Sequence, residues 1–157
     1  MKLLRVGVKG SEKPAALDKE GKIRDISSHV SDLNPDNLNF ETISKIQDLD
    51  LSGLPEVSSS ERISSCITKP GKFVAIGLNY SDHAAETGAE VPSEPIIFMK
   101  ANSSICGPND DIEIVSGSKK LDWEVELGIV IGKNAKHISE SQSQNHILGY
   151  CLVNDVS

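Results

Sequence analysis

Apolar residues fall in short runs along the chain, broken by Gly, Pro, Asp and Ser, and their spacing sets the expected elements. Leu3, Leu4, Val6 and Val8 predict a strand, and Asp18-Lys-Glu-Gly21 predicts a turn into a second strand over residues 23–26. Asn39 is placed to cap a short helix with Phe40, Ile43 and Ile46 on one face, stopped by Gly53-Leu-Pro55. Residues 56–66, with the run Ser58-Ser-Ser60, read as a linker. Beyond Lys69-Pro70-Gly71 the spacing predicts short buried strands over 73–76, 96–99, 112–115, 125–131 and 147–153. A helix is expected over residues 81–87 with Gly88 as its stop, and another after Ser139. The pattern divides the chain into a small N-terminal β/α domain, residues 1–69, and a β-rich domain beginning at residue 70. Five strands with little helix between most of them suggest a barrel-like or sandwich-like α+β architecture.

The strand over 125–131 carries the strongest candidate chemistry. Strand side chains alternate faces, so Glu124 and Glu126 share one face while Trp123, Val125 and Leu127 fill the other. A second apolar strand, Gly149-Tyr-Cys-Leu-Val-Asn154, ends in another carboxylate, Asp155. Three carboxylates delivered by strand backbones can supply hard oxygen ligands to Mg²⁺, Mn²⁺ or Ca²⁺. The plainer alternative is an amphipathic edge strand whose glutamates face water. The run Leu127-Gly-Ile-Val-Ile131 reads as a central strand buried on both faces, a poor place for idle carboxylates, and favours the metal reading.

Two further segments could act beside it. His83 and Glu86 lie three apart, on one face of the expected helix, where a carboxylate can fix the imidazole tautomer and raise its basicity. That pair suits a general base, or is a routine pair on a surface helix. Lys100, at the end of an apolar strand and followed by Asn102-Ser-Ser104, could receive a substrate carboxylate or simply extend into water. Gly128-Ile-Val-Ile-Gly132-Lys133 imitates a phosphate loop, but three residues intervene rather than four and Asn134 stands where Ser or Thr is needed. His29, His137 and His146 have no partner pattern and read as surface residues.

Composition narrows the partners. A net charge of −7 with no basic cluster argues against nucleic-acid binding. No apolar run approaches a membrane span, and the start Met-Lys-Leu-Leu-Arg lacks the long apolar stretch of a signal peptide, so a cytoplasmic protein is expected. Cys66, Cys106 and Cys151 are odd in number and widely spaced, which points to buried reduced thiols.

Taken in order, Gly71-Lys-Phe-Val-Ala-Ile-Gly-Leu-Asn-Tyr-Ser-Asp-His83, Pro95-Ile-Ile-Phe-Met-Lys100, Trp123-Glu-Val-Glu-Leu-Gly128 and Gly149-Tyr-Cys-Leu-Val-Asn-Asp155 resemble the fumarylacetoacetate hydrolase family. The resemblance covers residues 70–157, with residues 1–69 similar to the variable N-terminal domain of bacterial two-domain members. The stretch from Ser93 to Ile112 looks closest to members labelled ureidoglycolate lyase or 2-hydroxyhepta-2,4-diene-1,7-dioate isomerase. It implies a mixed β-sheet roll, usually a homodimer. It also implies that Glu124, Glu126 and Asp155 bind one Mg²⁺ or Mn²⁺, with Ca²⁺ a possible substitute in crystals. His83 with Glu86 would form a water-activating dyad on a lid, with Asn79, Tyr80 and Lys100 binding a small carboxylic acid.

The implied reaction is hydrolysis of a C–C bond in an acylpyruvate-like 2-oxo acid through a metal-stabilised enolate. A ureidoglycolate lyase, or an isomerase or decarboxylase on the same scaffold, is the alternative. The family's catalytic domain continues well past residue 157 and contributes a lysine from there, so the roll is expected to be C-terminally incomplete. A fragment that only binds or assembles is therefore a third reading.

Overall fold

Nine strands, each paired antiparallel, form one five-stranded and two two-stranded sheets in the computed structural model, which describes residues 1–157. The strands are β1 (Leu3–Val6), β2 (Lys13–Leu17), β3 (Ile23–Asp25), β4 (Glu56–Val57), β5 (Ile63–Ser64), β6 (Val74–Gly77), β7 (Ile96–Met99), β8 (Val125–Ile131) and β9 (Ile147–Asn154). The helices are α1 (Phe40–Gln47), α2 (Ser81–Thr87) and α3 (Glu140–Ser143), and the fold is α+β and β-rich. No helix is long and apolar enough to cross a membrane. The chain forms two compact units, one of Met1–Thr68 with Cys106–Ser157 and the other of Lys69–Ile105.

In the first unit a five-stranded sheet runs in the order β4-β3-β2-β1-β5. The expected turn at Asp18 forms because its carboxylate accepts the N–H groups of Glu20 and Lys22, both at 2.9 Å. β2 was not expected, since Lys13-Pro-Ala-Ala-Leu lacks β-branched residues and Pro14 cannot donate to a ladder. It forms anyway because Ala15 and Ala16 are fully buried between neighbours, while the Pro14 carbonyl accepts the Ile26 N–H. Ala16, Ile26, Val30, Leu33 and Ile46 make one core cluster, and Leu4, Val6, Ala15 and Ile23 make another.

The linker expected over 56–66 is instead the source of β4 and β5, each two residues long and set at opposite edges of the sheet. Such short edges limit pairing with other chains. α1 starts where expected, with Asn39 Oδ1 accepting the Thr42 N–H at 2.9 Å. Its buried face differs from expectation, because Ile46 is buried while Phe40 is exposed. The strand expected over 112–115 does not form; Ile112, Ile114 and Val115 are exposed and have no ladder partner. α3 carries the capping box Ser139/Gln142.

Arg62 ties the chain after residue 106 to the sheet. Its guanidinium donates to both oxygens of Asp110, at 2.7 and 2.6 Å, and to Glu12 at 3.2 Å. The Arg62 hydrogen bonds, with the Gly107 N–H, pull Asp110 down to about 2 from its ordinary 3.8. A carboxyl whose folded value is depressed contributes stability fully present above its unfolded value. That contribution is expected to fade as pH falls from about 3.8 to about 2. Urea midpoints measured from pH 5 to pH 2 check this, and Asp110→Asn should flatten the decline in that window.

The second unit pairs β6 with β7 in the register Val74↔Met99 to Gly77↔Ile96. α2 ends as expected, with Gly88 in the left-handed region at φ 66°. Val74, Ile76, Ile96, Ile97, Phe98 and Met99 are all exposed, so these strands are not the buried ones the hydropathy predicted.

Candidate functional site

β8 and β9 form a ribbon whose register decides where the carboxylates go. Val125 pairs with Asn154, Leu127 with Leu152 and Ile129 with Tyr150. The ladder runs past the formal strand ends: the Asp155 N–H donates to the Glu124 carbonyl at 2.8 Å, and Asp122 and Ser157 exchange N–H···O bonds of 2.8 and 3.3 Å. Glu124 therefore stands opposite Asp155, with Glu126 two positions along the same face. That face continues through Gly128 and Cys151. The opposite face presents Val125, Leu127, Ile129, Ile131, Tyr150 and Leu152, all exposed.

The alternation expected for β8 is thus present. The expectation of a strand buried on both faces is not met among these residues, because a two-stranded ribbon leaves one broad face uncovered.

The side chains at this end are held individually. Glu124 Oε1 accepts the Ser157 hydroxyl at 2.7 Å, and its N–H donates to Asn154 Oδ1 at 3.0 Å. Glu126 is half-buried, and Oδ1 of Asp155 is buried. The Asn154 side chain thus holds the backbone at Glu124, a contact whose signal in the sequence was an amide immediately before the strand-end Asp.

Gly128 admits the partner strand closely. A Cβ there would lie 2.8 Å from Cys151 Sγ and 2.9 Å from Val153 Cγ2. At the far end His146, expected on the surface, is buried, with Nδ1 3.3 Å from the Lys133 carbonyl.

The fit to a divalent cation is one of donor type and face. Three carboxylates on one face are the hard donors Mg²⁺ or Mn²⁺ selects. As they stand the side chains do not converge: no group of three or more His, Cys, Asp or Glu residues is gathered around a point that could hold a metal ion.

In the second unit His83 and Glu86 both lie on α2 and are both exposed. The hydrogen bonds at His83 belong to its backbone: its N–H donates to Asp82 Oδ1 at 2.9 Å and its carbonyl accepts from Thr87 Oγ1 at 3.0 Å. Asn79 and Tyr80 lie between β6 and α2 and are exposed, and the Lys100 N–H donates to the Phe73 carbonyl at the end of β7. Leu78, directly before Asn79, has φ 50°, a left-handed conformation that costs a branched residue about 1 kcal/mol or more. Hydropathy patterning carries no sign of that strain.

The family pattern described as fumarylacetoacetate (FAA) hydrolase C-terminal matches residues 72–157. The class these strands define is therefore a family of enzymes. This chain belongs to the fumarylacetoacetate hydrolase family. A protein of Burkholderia ambifaria, provisionally named a hydrolase, is 54% identical over all 157 residues. The chain spans about half the length of such relatives, 56% in that case.

Among solved structures, 2-hydroxyhepta-2,4-diene-1,7-dioate isomerase from Mycobacterium marinum is 29% identical with a TM-score of 0.67. It is matched over 100% of this chain and 54% of its own. Maleylpyruvate hydrolase from Sphingobium sp. SYK-6, solved with manganese(II) and pyruvate, shares the fold at a TM-score of 0.78 and 21% identity. There the match covers 99% of this chain and 58% of that one.

Proposed function

We propose that this chain carries the metal-binding strands of a hydrolase that cleaves a C–C bond of a small, acylpyruvate-like 2-oxo acid. The observation that carries the reading is the ladder bond from the Asp155 N–H to the Glu124 carbonyl, which sets Glu124, Glu126 and Asp155 on one face. Like charges directly opposite in a ladder destabilise it, so an arrangement of this kind calls for a counter-charge. A divalent cation bound there by Glu124, Glu126 and Asp155 would supply Lewis-acid stabilisation of the negative charge that develops on a 2-oxo acid as its neighbouring bond breaks.

The chain's own residues take the remaining roles. His83, oriented by Glu86, accepts a proton from water at an imidazole nitrogen. Lys100 pairs with a substrate carboxylate, and Asn79 and Tyr80 offer hydrogen bonds beside it. The ribbon's ladder hydrogen bonds fix the face that the three carboxylates share. The homodimer and the cytoplasmic setting belong to the same reading.

A hydrolase is favoured over an isomerase by the 54% identical relative named as one, although the same scaffold serves isomerases. The test is a panel of acylpyruvates and ureidoglycolate incubated with the chain and Mn²⁺ or Mg²⁺. Mn²⁺-dependent pyruvate release, abolished by His83→Ala, is expected. Urea release would replace this reading with a lyase, and turnover unaffected by His83→Ala would remove the dyad from it. A folded chain inert on the whole panel would leave it a binding or assembly piece.

A further inference from the structure

A cavity of about 270 Å³ opens in the first unit, bounded by α1 and the loop that follows β3. None of the residues to which the proposed chemistry is assigned lines it. On α1, Thr42, Lys45 and Ile46 stand at i, i+3 and i+4 and so share one face. Leu49 extends that wall, its N–H donating to the Ile46 carbonyl at 3.2 Å. The facing wall is His29-Val30-Ser31 with Asn37, whose amide donates to the Ser31 hydroxyl at 2.9 Å and ties that wall together.

The lining divides by chemistry. Val30 and Ile46 are buried and Leu49 is half-buried, which gives an apolar floor. His29, Ser31 and Lys45 are exposed and form a polar rim with Thr42. The His29 ring and the Thr42 hydroxyl make no hydrogen bond within the chain, and the Ser31 hydroxyl keeps its own proton to donate. In a chain with 23 acidic against 16 basic side chains, no carboxylate lines this cavity, so its charge is that of Lys45. Glu41 holds Lys45 at 2.7 Å from outside the lining, but the pair is exposed and an incoming anion displaces Glu41 at little cost.

We propose that this cavity binds a short-chain monocarboxylic acid. Its hydrocarbon covers Val30, Ile46 and Leu49, and its carboxylate accepts hydrogen bonds from the Lys45 ammonium, the Thr42 hydroxyl and a His29 N–H. Drug-sized sites begin at roughly 300 Å³, so the ligand is limited to a few carbons. The cation selects the acid over an alcohol of equal length, and the floor selects it over an anion without a chain. The site shares no residue with the proposed hydrolase chemistry and stands or falls apart from it.

The experiment titrates the folded 157-residue chain with hexanoate and follows the backbone amides by NMR. Saturable shifts at Ser31, Thr42, Lys45 and Leu49 are expected, with 1-hexanol and acetate each weaker by about tenfold or more. Lys45→Met keeps the stem but removes the charge, and should weaken hexanoate by about tenfold or more with the rest of the spectrum unchanged. Thr42→Val, which keeps the shape and loses the hydroxyl, should weaken it by a smaller factor. Absence of saturable shifts at these amides, or shifts confined to the exposed apolar face of the β8–β9 ribbon, would overturn the proposal. So would 1-hexanol or acetate binding as tightly as hexanoate, or unchanged hexanoate binding in Lys45→Met.

Discussion

Replacing Glu126 with glutamine is expected to weaken Mn²⁺ binding to this chain by more than about tenfold, while leaving the ribbon folded. Glu126 is half-buried, as Asp155 is, and its ladder partner is the apolar Val153. Glutamine keeps the size and shape but removes the charge, so the change reads electrostatics rather than packing. Glu124→Gln should cost less, because that carboxylate is exposed and already accepts the Ser157 hydroxyl.

A second readout separates this from general damage. In the absence of metal, Glu126→Gln should leave stability unchanged or raise it by up to about 1 kcal/mol, since one of three like charges on a shared face is gone. Calorimetric titration with Mn²⁺ and urea unfolding measure the two quantities. Unchanged titration for both Glu126→Gln and Asp155→Asn would dismiss the face as a metal site.

Asp32→Ala is expected to cost about 3 kcal/mol of folding stability, the largest electrostatic effect anticipated in the first unit. Arg5 lies on β1 inside the sheet and is only 5% exposed. Its guanidinium is held by two bonds to Asp32, Nε to Oδ1 at 2.6 Å and Nη2 to Oδ2 at 3.0 Å, and by Glu12 at 3.5 Å. Removing Asp32 leaves a buried positive charge with the weaker Glu12 contact alone, and it also deprives the Leu33 N–H of its 2.8 Å acceptor. Arg5→Met should cost less, because the charge leaves with its site while much of the packing is kept, and Asp32 retains access to water. Urea unfolding of the two variants side by side tests this; a greater loss for Arg5→Met would show that packing of the arginine stem, not the charge pair, holds this part of the sheet.

Much of the local structure was legible because it rests on local chemistry. Asn39 caps α1 through its own side chain, Asp18 turns the chain with its carboxylate, and Gly88 ends α2 in a conformation that glycine adopts without strain. The two faces of β8 followed from alternation alone. Elements that depend on a distant partner were not legible. β2 exists because β1 and β3 flank two buried alanines, and β4 and β5 exist because they complete the edges of that sheet. Residues 112–115 have strand-like composition but nothing to pair with, so they stay irregular.

The sequence by itself determined which residues could carry chemistry, and which of them alternate together, because side-chain type and strand period are properties of the chain alone. Only the tertiary structure decided that Glu124 stands across from Asp155. That pairing joins positions tens of residues apart, and it is set by the hydrogen-bond register of β8 on β9. A one-residue slip in that register would move one strand's alternate side chains to the opposite face, and no local pattern forbids it as firmly as the ladder and the close approach at Gly128 do.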